Sequence, residues 1–501
     1  MEDQMSHKPF GSLRGYFWPV RRQELAKVLP LMTIFFLISL IYNLLRCLKD
    51  SLLVPSTGAG ASIIPFLKLW MMFPGAVLLT FIYTRVANRF SIEKVFYLMI
   101  GGFLLFFFSF TFIYFPMSES LHFHSIGDYL EGVLPHGWLG MAAMVRYWGF
   151  SLFYVMSELW GSIVLFLLVW GFINQVTQFE QAKRVYALFG LVMNLGSILA
   201  GQTSLWISQA NTAHVAQDIS GNWDSLVTIT TIILFCGLLA LAIFYYLTRY
   251  LFKDVRYQKI RQDSNKVKMS LVDSLKYIFN SRYLLYLAVI VVAYNAIINL
   301  CEVTWKEQAN LLYSNKNDYL AFMGGVTTKV GIVSSLMSLC ILGNTFRFGN
   351  WTFTAMITPV IIFITTIAFF GSLIFTDGAL LSYIVLLGTV QNVLSRSSKY
   401  TVYDATKEVA FTPLSDESKL KGKASLDGIG SRFGKSGGAA INMLLMGVFG
   451  SLASSVSYIA AIILILCLFW MYAVRNLGKE LSVHLEEGDF ETKTDAAGNI
   501  K

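Results

Sequence analysis

Eight ionisable side chains stand inside or against long apolar stretches of this chain: Arg46, Lys49, Lys68, Glu158, Glu302, Lys329, Lys399 and Lys435. A charge at membrane depth is costly unless it faces a cavity or an opposite charge. So many of them point to a chain that surrounds a charged cargo and moves it across a bilayer. A non-transporting membrane receptor or scaffold is the alternative of another class, and it predicts a sealed, uncharged centre.

Each position has a plainer reading beside the functional one. Lys68 follows Ile63-Ile64-Pro65-Phe66-Leu67. Pro65 removes a helix donor one turn earlier, and a lysine near a helix end can snorkel to the interface. Glu158 lies mid-stretch in Tyr154-Val-Met-Ser-Glu158-Leu-Trp160, where a short carboxylate cannot snorkel; a structural ion pair to a lysine is its plain alternative. Glu302 falls at the outer end of its span and Lys329 mid-span, where it is expected to face a cavity. Lys435 follows Gly434 at the start of a span, where helix amides and an ammonium together suit a phosphate. Arg46, Lys49 and Asp50 near the end of the first span would form a funnel, a gate between halves or an interfacial anchor. Around these cations, Tyr42, Trp70, Tyr154, Trp160 and Trp305 offer flat aromatic surface. Cations with aromatics suit a polyanion that carries a base.

Other chemistries are poorly served. Gly428-Ile-Gly-Ser-Arg-Phe-Gly434-Lys435-Ser436 invites a P-loop reading, but that motif needs four residues between its glycines and Gly is absent at 429. The six histidines lie in tails or loops, and His122 with His124 lacks an evident third ligand, so no metal and no cofactor is expected. No nucleophile elbow occurs. Five cysteines without a CxxC pair exclude a disulfide framework. The chain is therefore not expected to be an enzyme.

These residues need membrane helices to hold them. Of 501 residues 55% are hydrophobic and only 14% charged, well below soluble domains. Stretches of about 20 apolar residues fall near 29–48, 62–84, 95–115, 147–175, 186–206, 226–248, 283–302, 320–342, 350–375, 379–395, 435–452 and 456–474. The predicted fold is an all-α polytopic membrane protein of about twelve transmembrane helices, major-facilitator-like, with two six-helix halves. The net charge of +9 collects in alternate loops, so it reads as topology and not as nucleic-acid binding. Both termini are thereby placed in the cytoplasm. The expected divisions are a cytoplasmic N-terminal segment at 1–28, an N-terminal half at 29–248, a basic linker at 249–282, a C-terminal half at 283–475 and a cytoplasmic tail at 476–501. Tyr42-Asn43 in the first span has a counterpart in Tyr294-Asn295 of the seventh. The first 27 residues hold no signal-peptide core and include Glu2 and Asp3, which favours a bacterial inner membrane over a plastid envelope.

Together the segments resemble the nucleotide transporter family of chlamydiae, rickettsiae and plastids, the ATP/ADP translocases. The resemblance is carried by Leu45-Arg46-x-x-Lys49-Asp50, Ile64-Pro65-Phe66-Leu67-Lys68, Ser157-Glu158-Leu159-Trp160-Gly161, Trp170-Gly171-Phe172-x-Asn174-Gln175, Glu302-Val303-Thr304-Trp305-Lys306, Gln391-Asn392, Asp404-x-x-Lys407-Glu408, Lys421-Gly422-Lys423-Ala424 and Gly434-Lys435-Ser436-Gly437-Gly438. It implies nucleotides as partners within the lipid bilayer (ATP and ADP, with other nucleoside triphosphates and protons as further candidates), and importance for transport at Lys68, Glu158, Glu302 and Lys435. It also implies substrate contact at Asn194. Two corners depart from exchange-type members, which often read LRDTKD where this chain has Leu45-Arg46-Cys47-Leu48-Lys49-Asp50, and KEMAYIPLD over 407–415. ATP/ADP exchange and proton-coupled net import of several nucleoside triphosphates both stay open.

Overall fold

A computed structural model describes residues 20–177, 179–214, 223–251, 281–340, 350–376, 380–414, 426 and 430–496. Most of the expected basic linker lies outside these residues, as do Lys419, Lys421, Lys423 and Gly428.

The described chain is helical, with no strand among the described residues. Long helices occur at all twelve expected stretches: α1 (Arg22–Leu53), α2 (Gly60–Arg89), α3 (Ile92–Leu121), α4 (Trp148–Val176), α5 (Phe179–His214), α6 (Asp224–Tyr250), α7 (Arg282–Leu312), α8 (Lys316–Cys340), α9 (Trp351–Phe375), α10 (Leu381–Ser398), α11 (Ser431–Phe449) and α12 (Val456–Ala496). Among the described residues, ten helices are long and apolar enough to cross a membrane. The two that fall short are α10 and α11. Both turn polar side chains inward, which dilutes their apolar signal.

Helices in lipid lack a hydrophobic drive towards one another and associate where small residues let backbones approach. Two such crossings organise the centre. At α5–α8, a Cβ on Gly324 would stand 2.7 Å from the Gly201 carbonyl, and one on Gly331 would stand 2.9 Å from that of Asn194. Ser197 adds a hydrogen bond to the Thr327 carbonyl at 3.0 Å. At α7–α11, a Cβ on Gly434 would meet the Val292 carbonyl at 2.8 Å, and one on Gly438 the Ala296 carbonyl at 2.9 Å. The glycine-rich stretch that invited a phosphate-loop reading is thus a helix-packing face.

Three helices widen to π-type hydrogen bonding beside the expected site residues. The stretches are Leu67–Met72 in α2, Trp160–Trp170 in α4 and Lys399–Tyr403 after α10. In α2 the wide turn falls between Pro65 and Pro74, both of which lack an amide donor. Such bulges rotate the side chains that follow and recur at functional sites. Two further π stretches, Phe110–Tyr114 and Leu247–Leu251, have no site residue near them.

Candidate functional site

A cavity of about 590 Å³ lies between the two halves, bounded by α1, α2, α4, α5, α7, α8, α10 and α11. Its size is that of an ordinary small-molecule site. Seven cations line it: Arg46, Lys68, Arg396, Lys399, Lys407, Arg432 and Lys435. Three carboxylates face them: Glu158, Glu302 and Asp404. The cavity runs from Lys68 and Glu302 towards Lys407 and Arg432.

Glu302 is the hub of the charges. It pairs with Lys306 at 2.9 Å and accepts from Arg396 at 2.8 Å and Lys68 at 3.3 Å. Lys68 also donates to Asn299. Lys306 reaches back across the halves to Asp50 at 2.8 Å, Asp50 accepts from Lys49 at 2.9 Å, and Lys49 meets Glu158 at 3.0 Å. One continuous chain of ion pairs therefore joins α1, α2, α4, α7 and α10. Lys49, Asp50 and Lys306 are at most 2% exposed, so this end of the cavity is closed. The Lys49 ammonium also lies 3.9 Å from the centre of the Tyr154 ring. Further out, the Ala61 amide at the start of α2 donates to the Glu307 carboxylate on α7 at 2.6 Å.

Elsewhere in the cavity are Lys399, Arg46 and Lys435. Lys399 pairs with Asp404 at 3.1 Å. Arg46 and Lys435 make no ion pair among the described residues, and both face the cavity. Lys435 is set there by its neighbour Gly434, which seats α11 against α7.

Of the nine residues singled out from sequence, seven line the cavity: Arg46, Lys68, Glu158, Asn194, Glu302, Lys399 and Lys435. Lys49 lies just behind it, buried between Asp50 and Glu158. Lys329 is a correction. It is exposed outside the cavity, on the helical face that also exposes Ile332 and Leu336, because positions three and seven residues apart share a face of α8. Glu302 is corrected in depth: α7 continues to Leu312, which puts this carboxylate well inside the helix and not at its end.

The aromatic surface differs from expectation. Only Tyr42 of the five candidates lines the cavity. Trp70 is exposed away from it, and Tyr154, Trp160 and Trp305 are fully buried. Trp160 donates to the Ile38 carbonyl at 3.3 Å and Trp305 to the Thr389 hydroxyl at 3.2 Å. The cavity instead presents Tyr294, Tyr400, Tyr403, Phe73 and Phe166. Tyr294 and Tyr403 stack at 4.8 Å. Both copies of the Tyr-Asn repeat belong to the site. Asn43 donates to the Ser39 carbonyl at 2.9 Å and Asn295 to the Val291 carbonyl at 2.8 Å, the same back-bond in each half.

Sequence reasoning missed Arg396 as a site residue and placed it at the start of a basic loop. It lies within α10, 6% exposed. Asn392, Arg396 and Lys399 recur at i, i+4 and i+7, the spacing that marks one helical face. No group of His, Cys, Asp and Glu among the described residues has the arrangement to hold a metal ion.

Two helical halves around a cation-rich cavity define a multi-pass membrane carrier of the major-facilitator type. Residues 3–481 match the family model described as TLC ATP/ADP transporter, and the chain belongs to that family. It is 38% identical to ADP,ATP carrier protein 1 of Chlamydia trachomatis serovar D, over 95% of this chain and 92% of that one. It is also 38% identical to ADP,ATP carrier protein 4 of Rickettsia conorii, over 94% and 95%. With the chloroplastic ADP,ATP carrier protein 2 of Arabidopsis thaliana it shares 36%, over 95% of this chain and 78% of that one. In fold it is similar to a bacterial homologue of the iron transporter ferroportin in an inward-facing state, with TM-score 0.56, 13% identity and coverage of 90% and 99%. A partially occluded inward-open xylose transporter from E. coli gives TM-score 0.52 at 14% identity, covering 90% and 98%.

Proposed function

We propose that this chain carries nucleoside phosphates across a bacterial inner membrane by alternating access, exchanging ATP and ADP. The observation that carries this reading is the cavity between the halves, in which seven cations outnumber three carboxylates beside a tyrosine surface. A polyanion with a flat base satisfies both features at once. The family's name and those of the relatives agree with that cargo.

Lys68, Lys435 and Arg46 bind the phosphates. Arg396, the nearest cation to Glu302 among those lining the cavity, joins them when substrate displaces it. Asn194 contacts the substrate, while Glu158 and Glu302 hold the cations when the cavity is empty. The Asp50–Lys306 pair latches the halves at the far end. A substrate phosphate competing with Glu302 for Lys68 and Arg396 loosens the hub to which Lys306 is tied. A ligand shifts only an equilibrium whose states it binds differently, and this competition supplies such a difference. The empty carrier keeps its latch and crosses slowly, as an exchanger requires. Both termini, the linker at 249–282 and the end of the cavity nearest Arg432 face the cytoplasm, following the basic loops.

The test is uptake of labelled ATP into intact Escherichia coli expressing the chain, followed by external ADP. Release of label on ADP addition, with uptake little changed by an uncoupler, is the expected result. Uptake that collapses with the uncoupler and does not chase would replace exchange by proton-driven import. No uptake of any nucleotide would remove the reading.

A further inference from the structure

The transported species follows from how the cavity's charges are already spent. We infer that the site takes the metal-free nucleotide and excludes its magnesium complex, an inference that rests on the nucleotide reading above and sharpens it.

Magnesium on a nucleotide keeps near-octahedral oxygen coordination and is anchored in protein sites by one or two carboxylates beside the phosphates. Among the described residues the cavity offers three carboxylates, and each is committed. Glu302 holds three cations, Glu158 holds Lys49, and Asp404 holds Lys399. Substrate binding does not free Glu302 or Glu158 for a metal. If phosphates draw Lys68 and Arg396 away, Glu302 still has Lys306 at 2.9 Å, and Lys49 behind the cavity wall keeps Glu158 occupied. The remaining lining groups bind phosphate oxygens as donors, which is the position the metal would take.

Charge agrees. A metal ion on the phosphates would stand among Arg46, Lys68, Arg396 and Lys435, like charges at close range.

The experiment uses the purified full-length chain in proteoliposomes loaded with unlabelled ADP. Initial uptake of labelled ATP is measured at fixed total ATP while magnesium chloride is raised from zero with EDTA to a large excess. The expected rate follows the concentration of metal-free ATP and falls about as steeply as that species does. ADP binds magnesium more weakly than ATP, so in a mixture the ratio of ADP to ATP taken up should rise with magnesium. That ratio separates loss of free ATP from a general effect of the salt on the bilayer. A rate that is flat or rising as magnesium saturates ATP, or a constant uptake ratio, overturns the inference and leaves nucleotide transport standing. Absence of uptake at every magnesium concentration removes both.

Discussion

Asp50 on α1 and Lys306 on α7 approach to 2.8 Å, and neither side chain is more than 1% exposed. The pair joins opposite halves of the molecule at the closed end of the cavity. Each partner has a second tie, Asp50 to Lys49 and Lys306 to Glu302, so the latch is wired to both sides of the site. Removing one member of a buried pair leaves an uncompensated charge and costs about 3–5 kcal/mol, whereas replacing both by neutral groups is often far milder. Asp50→Asn and Lys306→Met should each lower the thermal stability of the detergent-purified protein and abolish most exchange. The double variant should recover much of the stability but not tight coupling, seen as efflux of preloaded ATP without external counter-substrate. Independent, additive effects of the two changes would show that the contact is not a latch.

Glu302 competes with substrate for Lys68 and Arg396, which gives Glu302→Gln an unusual sign. The variant should bind ATP more tightly, by about tenfold or roughly 1.4 kcal/mol, because two cations are no longer held back. Transport should nevertheless fall by at least about tenfold, since the tie from site to latch is cut. Calorimetric binding and proteoliposome exchange read the two quantities separately. Weaker binding in the variant would make Glu302 a direct ligand and not a competitor.

Much of this site was legible because membrane burial makes charge expensive. Lys68, Glu158 and Glu302 stood out as ions in apolar sequence, and all three line the cavity. Lys329 met the same criterion and failed it. Hydropathy gives depth but no azimuth, and α8 turns this lysine to the face of Ile332 and Leu336. Arg396 was missed for the opposite reason. Its neighbours Ser395, Ser397, Ser398 and Lys399 make the sequence read as loop, yet the serines are buried and the helix continues through them. The hidden tryptophans failed on partners: Trp160 and Trp305 find hydrogen-bond acceptors inside the packed helices, which sequence alone does not reveal.

Glu158 separates the two transport modes. It faces the cavity and meets Lys49 at 3.0 Å. In an exchanger, Glu158→Gln slows transport by loosening Lys49, and an uncoupler leaves wild type and variant alike unaffected. If uptake by the wild type depends on the proton gradient and uptake by the variant does not, Glu158 carries the proton. Dependence retained in the variant would assign that role elsewhere.

The position of Lys435 depends on a contact that involves no charge. Gly434 and Gly438 lie one turn apart on α11, against the Val292 and Ala296 carbonyls of α7. A Cβ at Gly438 would approach Ala296 O to 2.9 Å and the Asn299 Cβ to 3.0 Å, and neither backbone nor Cβ can swing away. Gly438→Val should therefore push α11 off α7 and carry Lys435 out of register. It also disturbs Asn299, which accepts from Lys68. Between them, Gly437 has nothing within 4 Å of where its Cβ would stand. Gly437→Ala adds the same kind of atom to the same helix and should leave exchange within about twofold, with stability unchanged or raised by a few tenths of a kcal/mol through helix propensity. Gly438→Val should raise the KM for ATP more than it lowers the amount of folded protein recovered from membranes. Equal losses from Gly437→Ala and Gly438→Val would mean that glycine matters here for flexibility and not for close approach.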